Sequence, residues 1–219
     1  VLKGAFYGLP SLKILLIWQT MLFIHNLFSN PTGFFTTVTI VVISVMLHEL
    51  AHGYMALSQG DDTPRVSGHL TLNPIRLLSW QSLVFLCVAG LAWGQMPVNP
   101  TRFRWGKLSS ILVFVAGPLA NLAIGFLLIG LYKFSALLNL AHPEILLLAS
   151  QINLVLFLLN LLPIPPLDGF QVLCEIIPPL SSLQRNRWAL FMLMIILLIP
   201  AFGTGLSTAA RSMISAAIA

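Results

Sequence analysis

The sequence predicts an all-α, polytopic membrane protein with about five transmembrane helices, one re-entrant segment and a short β-hairpin. Three observations carry that expectation. Of 219 residues, 58% are hydrophobic and only 8% are charged, whereas soluble domains run near ~25% charged. Apolar runs recur at 12–28, 34–58, 77–94, 107–133, 144–163 and 188–205, close to the roughly 20 residues a helix needs to cross a hydrocarbon core. The polar stretches between them are too short for a separate soluble domain, so residues 1–219 read as one unit.

Taken in order, the run 12–28 has Lys13 and Trp18 near its start, which suit a membrane interface. It is nearly long enough to span and further runs follow, which argues against a cleavable signal peptide. Between the second and third runs, "GDDTPRVSGHLTLNP" (60–74) combines turn residues with partly alternating Val66, Leu70 and Leu72, the pattern of a short hairpin. "GQMPVNPTRFRWGK" (94–107) is rich in Pro and Gly and then basic, an interfacial loop. The tail 206–219 mixes small, polar and apolar residues, as a surface helix does. Cys87 and Cys174 stand apart in apolar surroundings and read as buried small hydrophobes, with no disulfide pattern. The net charge of +5 sits in short connections. It suits an anionic lipid surface and excludes nucleic acid as the natural partner.

One apolar run contains a chemical anomaly. "VMLHELAHGYMALSQ" (45–59) places His48, Glu49 and His52 within a single helical turn. Each ionisable group costs about 2.5–3.5 kcal/mol at a bilayer centre if unpaired. Histidines four apart share one helix face, so both imidazoles can reach one ion, and neutral imidazoles suit zinc. Glu49, next to the first histidine, points near that site without being a ligand. It can take the proton of a water that the metal activates and pass it on. The plain alternative, histidines that merely hydrogen-bond neighbouring helices, explains the expense less well.

Zinc needs a third protein ligand and an open position. His25, His69 and His142 are lone residues suited to surface or interface positions, and Glu144 and Glu175 lie at run boundaries. Asp61 and Asp62 fall in a turn, where they are solvated or cap a helix. Asp168 differs. It follows a long apolar run in "NLLPIPPLDGF" (160–170), where prolines break the helix and Gly169 permits an unusual backbone. Irregular backbone at membrane depth is tolerated where protein or a cavity surrounds it.

Together, "HELAH" (48–52) and "NLLPIPPLDG" (160–169) resemble the site-2 protease family of intramembrane metalloproteases. "GHLTLNP" (68–74), "MPVNP" (96–100) and "GPLANL" (117–122) also look like family segments, so the resemblance covers about 34–170. It implies a three-helix catalytic core, with 12–28 and 188–205 peripheral. It implies one zinc held by His48, His52 and Asp168, Glu49 as catalytic base, and Asn160 as a polar group near the site, for the oxyanion or for substrate positioning. The partners it implies are a single-span or other transmembrane protein substrate and the lipid bilayer. The chain is similar to the compact type without PDZ or CBS domains, which points to a prokaryotic plasma membrane.

Topology follows from the shared metal. If 77–94 crossed fully, Asp168 would emerge on the side opposite His48 and His52. If 77–94 dips in and returns, the ligands meet. The distribution of cations agrees. With a re-entrant 77–94, Lys3, Lys13, Arg65, Arg76, Arg102, Arg104, Lys107, Arg185 and Arg187 lie on one side, and only Lys133 and Arg211 on the other. The positive-inside rule makes the crowded side cytoplasmic, with the active site opening toward it. A zinc transporter or non-catalytic zinc scaffold is the alternative class. Glu49 between two ligands, without a second relay of ionisable residues, argues for hydrolysis.

Overall fold

The computed structural model describes residues 23–135, 137, 139–184, 193, 195–197 and 199–219. Helix α1 spans His25–Ser29 and α2 spans Pro31–Ser58. Asn30 caps α2, its side chain accepting from the Gly33 amide at 3.0 Å, and Pro31 occupies the first turn, where no N–H is needed. A short α3 (Thr63–Val66) precedes α4 (Pro74–Ala89), which Asn73 caps. Helix α4 is interrupted at Ser79 (φ 65°, ψ 156°) and stops at Gly90 in the left-handed region. Then come α5 (Lys107–Lys133), α6 (Glu144–Asn160), α7 (Asp168–Ile176), α8 (Ser181–Gln184) and α9 (Pro200–Ile218).

Helices α2 and α5 are long and apolar enough to cross a membrane, and α4 and α6 are shorter apolar helices. Helix α5 is central, packing on α2, α6, α7 and α9. Polar side chains are buried beside the apolar core, while the outer surface of these helices is apolar. Ser44, His48, Glu49 and His52 of α2, Ser109, Ser110 and Asn121 of α5, and Ser150, Gln151 and Asn153 of α6 are buried. Ile43, Leu47 and Tyr54 of α2 and Leu119, Phe126 and Leu127 of α5 face outward. In water such a surface is an unstable arrangement. In lipid it is the expected one, because hydrocarbon solvates apolar side chains and leaves polar groups to pair inside.

Segment 60–74 corrects the expected hairpin: it forms α3 and turns, and no strand occurs among the described residues. The reason is local. The buried Asp61 carboxylate accepts from the Thr63 amide at 3.0 Å, and Pro64 pre-sets the first helical turn. Val66, Leu70 and Leu72 alternate too briefly to outweigh these bonds. The predicted run 12–28 lies largely outside the described residues, with 25–28 in α1, and so do 188–192, 194 and 198 of the run 188–205. The tail is helical, as expected, with one face exposed and the other packed inward. It belongs to α9, whose Ala210 and Ile214 are fully buried against Ile129, Leu147 and Leu154, and whose Ser207 accepts from Gln151 at 2.8 Å.

The stretch between α2 and α5 returns to where it starts. After Gly90 the chain doubles back beside α4. Trp93 bonds Ser82 through both its amide (2.9 Å) and its carbonyl (2.7 Å), and the Gln95 amide donates to Leu77 at 2.8 Å. Beyond it, the Asn99 amide donates to Asp61 at 2.6 Å, the Arg104 amide to the Gln59 carbonyl at 2.9 Å, and Arg102 pairs with Asp62.

Candidate metal centre

His48, His52 and Asp168 come together although 116 positions separate His52 from Asp168 in the chain. The two histidines project from one face of α2, as their spacing requires. Asp168 is the first residue of α7, where unpaired backbone amides favour a carboxylate. Prolines 163, 165 and 166 end α6, and tight turns carry the chain back toward α2. Gly169 serves a purpose other than the expected one. Its backbone is not unusual, but a Cβ there would overlap the Leu161 carbonyl, so glycine lets the start of α7 sit against the end of α6.

The Nε2 atoms of His48 and His52 lie 2.9 Å apart, and Asp168 Oδ2 lies 3.0 Å from the first and 3.4 Å from the second. The outer ring nitrogens define the proton positions. His52 Nδ1 donates to the Val113 carbonyl at 2.7 Å, a group that can only accept. His48 Nδ1 donates to Asn121 Oδ1 at 2.6 Å. Both Nε2 atoms then carry bare lone pairs, and Asp168 Oδ2 is buried without a hydrogen-bond donor. Three electron-rich atoms facing one point repel one another unless a cation lies among them. Two imidazoles and one carboxylate are a donor set that fits zinc.

Gly117 of α5 makes room for this cluster, since a Cβ there would overlap both imidazoles. Glu49 is buried beside it, its carboxylate packed on the backbone of Gly94. A cavity of about 300 Å³ opens onto His48, Glu49 and Asp168 and is also lined by Trp93, Gly94 and Asn160. Asn160, expected near the site, is there, but its amide donates to the Leu156 carbonyl of its own helix at 3.0 Å. The other candidates stay away from the cluster: His25 is exposed, His69 bonds Ser67 and His142 pairs with Glu144. Sequence reasoning passed over Asn121, Asn153 and Val113. The signal for the first two was available, because an asparagine in an apolar helix needs a buried partner.

A family model described as "Peptidase family M50" matches residues 128–200, a span that includes Asp168. "Putative zinc metalloprotease YwhC" of Bacillus subtilis (strain 168) is 39% identical over 151 residues, covering 65% of this chain and 69% of the relative. The chain belongs to the site-2 protease family. A second relative, "Putative zinc metalloprotease Rip2" of Mycolicibacterium smegmatis, is 29% identical over 172 residues, covering 73% of this chain and 65% of its own length. "Zinc metalloprotease MJ0392" of Methanocaldococcus jannaschii is 27% identical over 172 residues, and this chain spans 43% of it. No solved structure gives a significant match. As a site-2 protease family member, the chain has zinc as the ion for which the donor set is built.

Proposed function

We propose that this protein is an intramembrane zinc endopeptidase that hydrolyses peptide bonds within or near transmembrane segments of other membrane proteins. The observation that carries the reading is the convergence of two imidazole lone pairs and a buried, donor-free carboxylate beside a second, separate carboxylate. His48, His52 and Asp168 hold the zinc, which when bound polarises the scissile carbonyl and activates a water. Glu49 accepts the proton of the attacking water on its carboxylate and delivers it to the leaving amine. Asn160 lines the cavity, from which its amide positions substrate or the oxyanion after turning away from Leu156.

A substrate helix must unwind before attack, because its amides are otherwise satisfied internally. The backbone around 94–100 is suited to hold the unwound part as an added strand. Residues 91–99 have no regular secondary structure, and Trp93 and Gln95 are bonded to α4 on one side while 91–95 line the cavity. Segment 60–74, being helix and turn, does not serve that purpose.

Residues 1–219 make one catalytic unit with its core in 34–170, crossing the membrane about five times with 77–94 re-entrant and the site open to the cytoplasm. The bonds from Gln59 and Asp61 to Arg104 and Asn99 support this, because the exit from α2 and the entry to α5 then share a side. Cysteines at the exposed Ser67 and Thr101, with Cys87 and Cys174 replaced, should react with an impermeant thiol reagent from the cytoplasmic side only. Labelling of Thr101→Cys from the opposite side would defeat the re-entrant reading. For the activity, purified protein in liposomes should cleave a single-span substrate, and Glu49→Gln should not. Zinc flux without cleavage would favour a transporter.

A further inference from the structure

Beyond the first ring of ligands, a directed chain of amides runs from α6 through α5 to His48. Asn153 Nδ2 donates to the Ala149 carbonyl at 2.8 Å and to Ser44 Oγ at 2.9 Å. Its Oδ1 therefore faces Asn121 and accepts from Asn121 Nδ2 at 2.9 Å. Asn121 Nδ2 also donates to the Ser44 carbonyl at 3.4 Å. With its NH₂ group committed, Asn121 offers Oδ1 to His48 Nδ1 at 2.6 Å. Asn121 is fully buried, and Asn153 and Ser44 are no more than 3% exposed, so the links among these three are shielded from bulk water.

Each asparagine donates to a backbone carbonyl, which only accepts: Asn153 closely to Ala149, and Asn121 at longer range to Ser44. These carbonyls impose a single sense on the chain of amides. Were Asn121 to turn over, its NH₂ would face His48 Nδ1, that nitrogen would have to accept, and the proton would move to Nε2. A protonated Nε2 cannot bind a metal. We infer that Asn153, through Asn121, is a positioning residue that holds His48 in the one tautomer able to ligate zinc. The inference rests on His48 being a zinc ligand. Asn153 touches neither the metal cluster nor the cavity that opens on it.

The test is a double-mutant cycle read by zinc affinity, in competition with a chromogenic chelator, on the full-length protein in detergent. Asn153→Leu keeps bulk but frees Asn121 to turn, and should weaken zinc binding by about 10–100-fold, the usual scale for such outer contacts. Asn121→Asp should weaken it too, because a carboxylate oxygen would then face Asn153 Oδ1 with no proton between them. The pair Asn121→Asp with Asn153→Leu should bind more tightly than either single variant, since a carboxylate accepts from His48 in any orientation and no longer needs Asn153. A packing role for Asn153 predicts the reverse, losses that accumulate. Unchanged affinity in Asn153→Leu, or a double variant no better than Asn153→Leu, overturns the inference. Should Asn153→Leu not fold, Asn153→Ala takes its place. Should neither fold, Asn121→Asp alone decides, and undiminished zinc affinity in it overturns the inference. Cobalt-loaded samples add a readout independent of cleavage: the visible spectrum of the double variant should match wild type, and that of Asn153→Leu should not. A wild-type protein that binds no zinc, or a His48→Ala variant that binds it as well, would instead defeat the metal reading itself.

Discussion

The two histidines of one helical turn are held by different means. His52 is fixed by a backbone carbonyl, Val113, on the helix that faces it. His48 is fixed by a side-chain amide that depends in turn on α6 and on Ser44. A carbonyl in a helix has one polarity and no substitution removes it. An amide side chain has two faces of nearly equal shape, and needs further partners to present the correct one. The His52 arm is therefore robust and has no outlying residues to mutate. The His48 arm extends over three helices and should be sensitive at each.

Substitutions of the proposed ligands should erase that contrast. His48→Ala, His52→Ala and Asp168→Ala should each lose stoichiometric zinc, as metal analysis of the purified protein would reveal, because two donors do not make a site. Retention at wild-type level in Asp168→Ala would remove it from the ligand set. Glu49→Gln touches neither arm. It should keep zinc and lower cleavage by at least about 10²–10⁴-fold, the scale of lost general-base catalysis; an active Gln variant would end its assignment as base. Gly117→Ala presses on both imidazoles at once and should impair zinc binding through both arms. Asn121→Ala opens only the His48 arm and should weaken zinc by about 10–100-fold. Smallest of all, Ser44→Ala removes one of two acceptors from Asn153 and leaves Ala149, so zinc affinity should change by only a few-fold. A large effect there would mean that Ser44, rather than Ala149, sets the direction.

The same contrast marks what could be read from the sequence. Helix α5 matches the predicted run 107–133, and α2 and α6 lie within a few residues of theirs. Long apolar runs with polar ends have few alternatives. The grouping of His48, His52 and Asp168, with Glu49 beside it, was legible because charge in an apolar run is costly and prolines mark where a helix must stop. The supports were not legible as partners. Val113 acts through its backbone, about which its side chain says nothing, and the Asn121–Asn153 contact depends on how α5 and α6 are rotated against each other. Segment 60–74 was misread because alternation was weighed without the side-chain bonds of Asp61, which reach Asn99 far along the chain.

The bonds that close the stretch between α2 and α5 also bear on chain continuity. Gln59, Asp61 and Asp62 are joined to Arg104, Asn99 and Arg102, and Ser109 donates to Gln59 at 2.8 Å. These contacts already hold α2 to α5 without the covalent path that runs between them. Val66 and Ser67, exposed at the far side of α3, lie on that path but outside the closure. The protein should therefore tolerate a break there. Two polypeptides separated after Val66, one bringing His48, Glu49 and His52 and the other Asp168, would carry complementary parts of the proposed active centre. Made together in the same membrane, they should reassemble it.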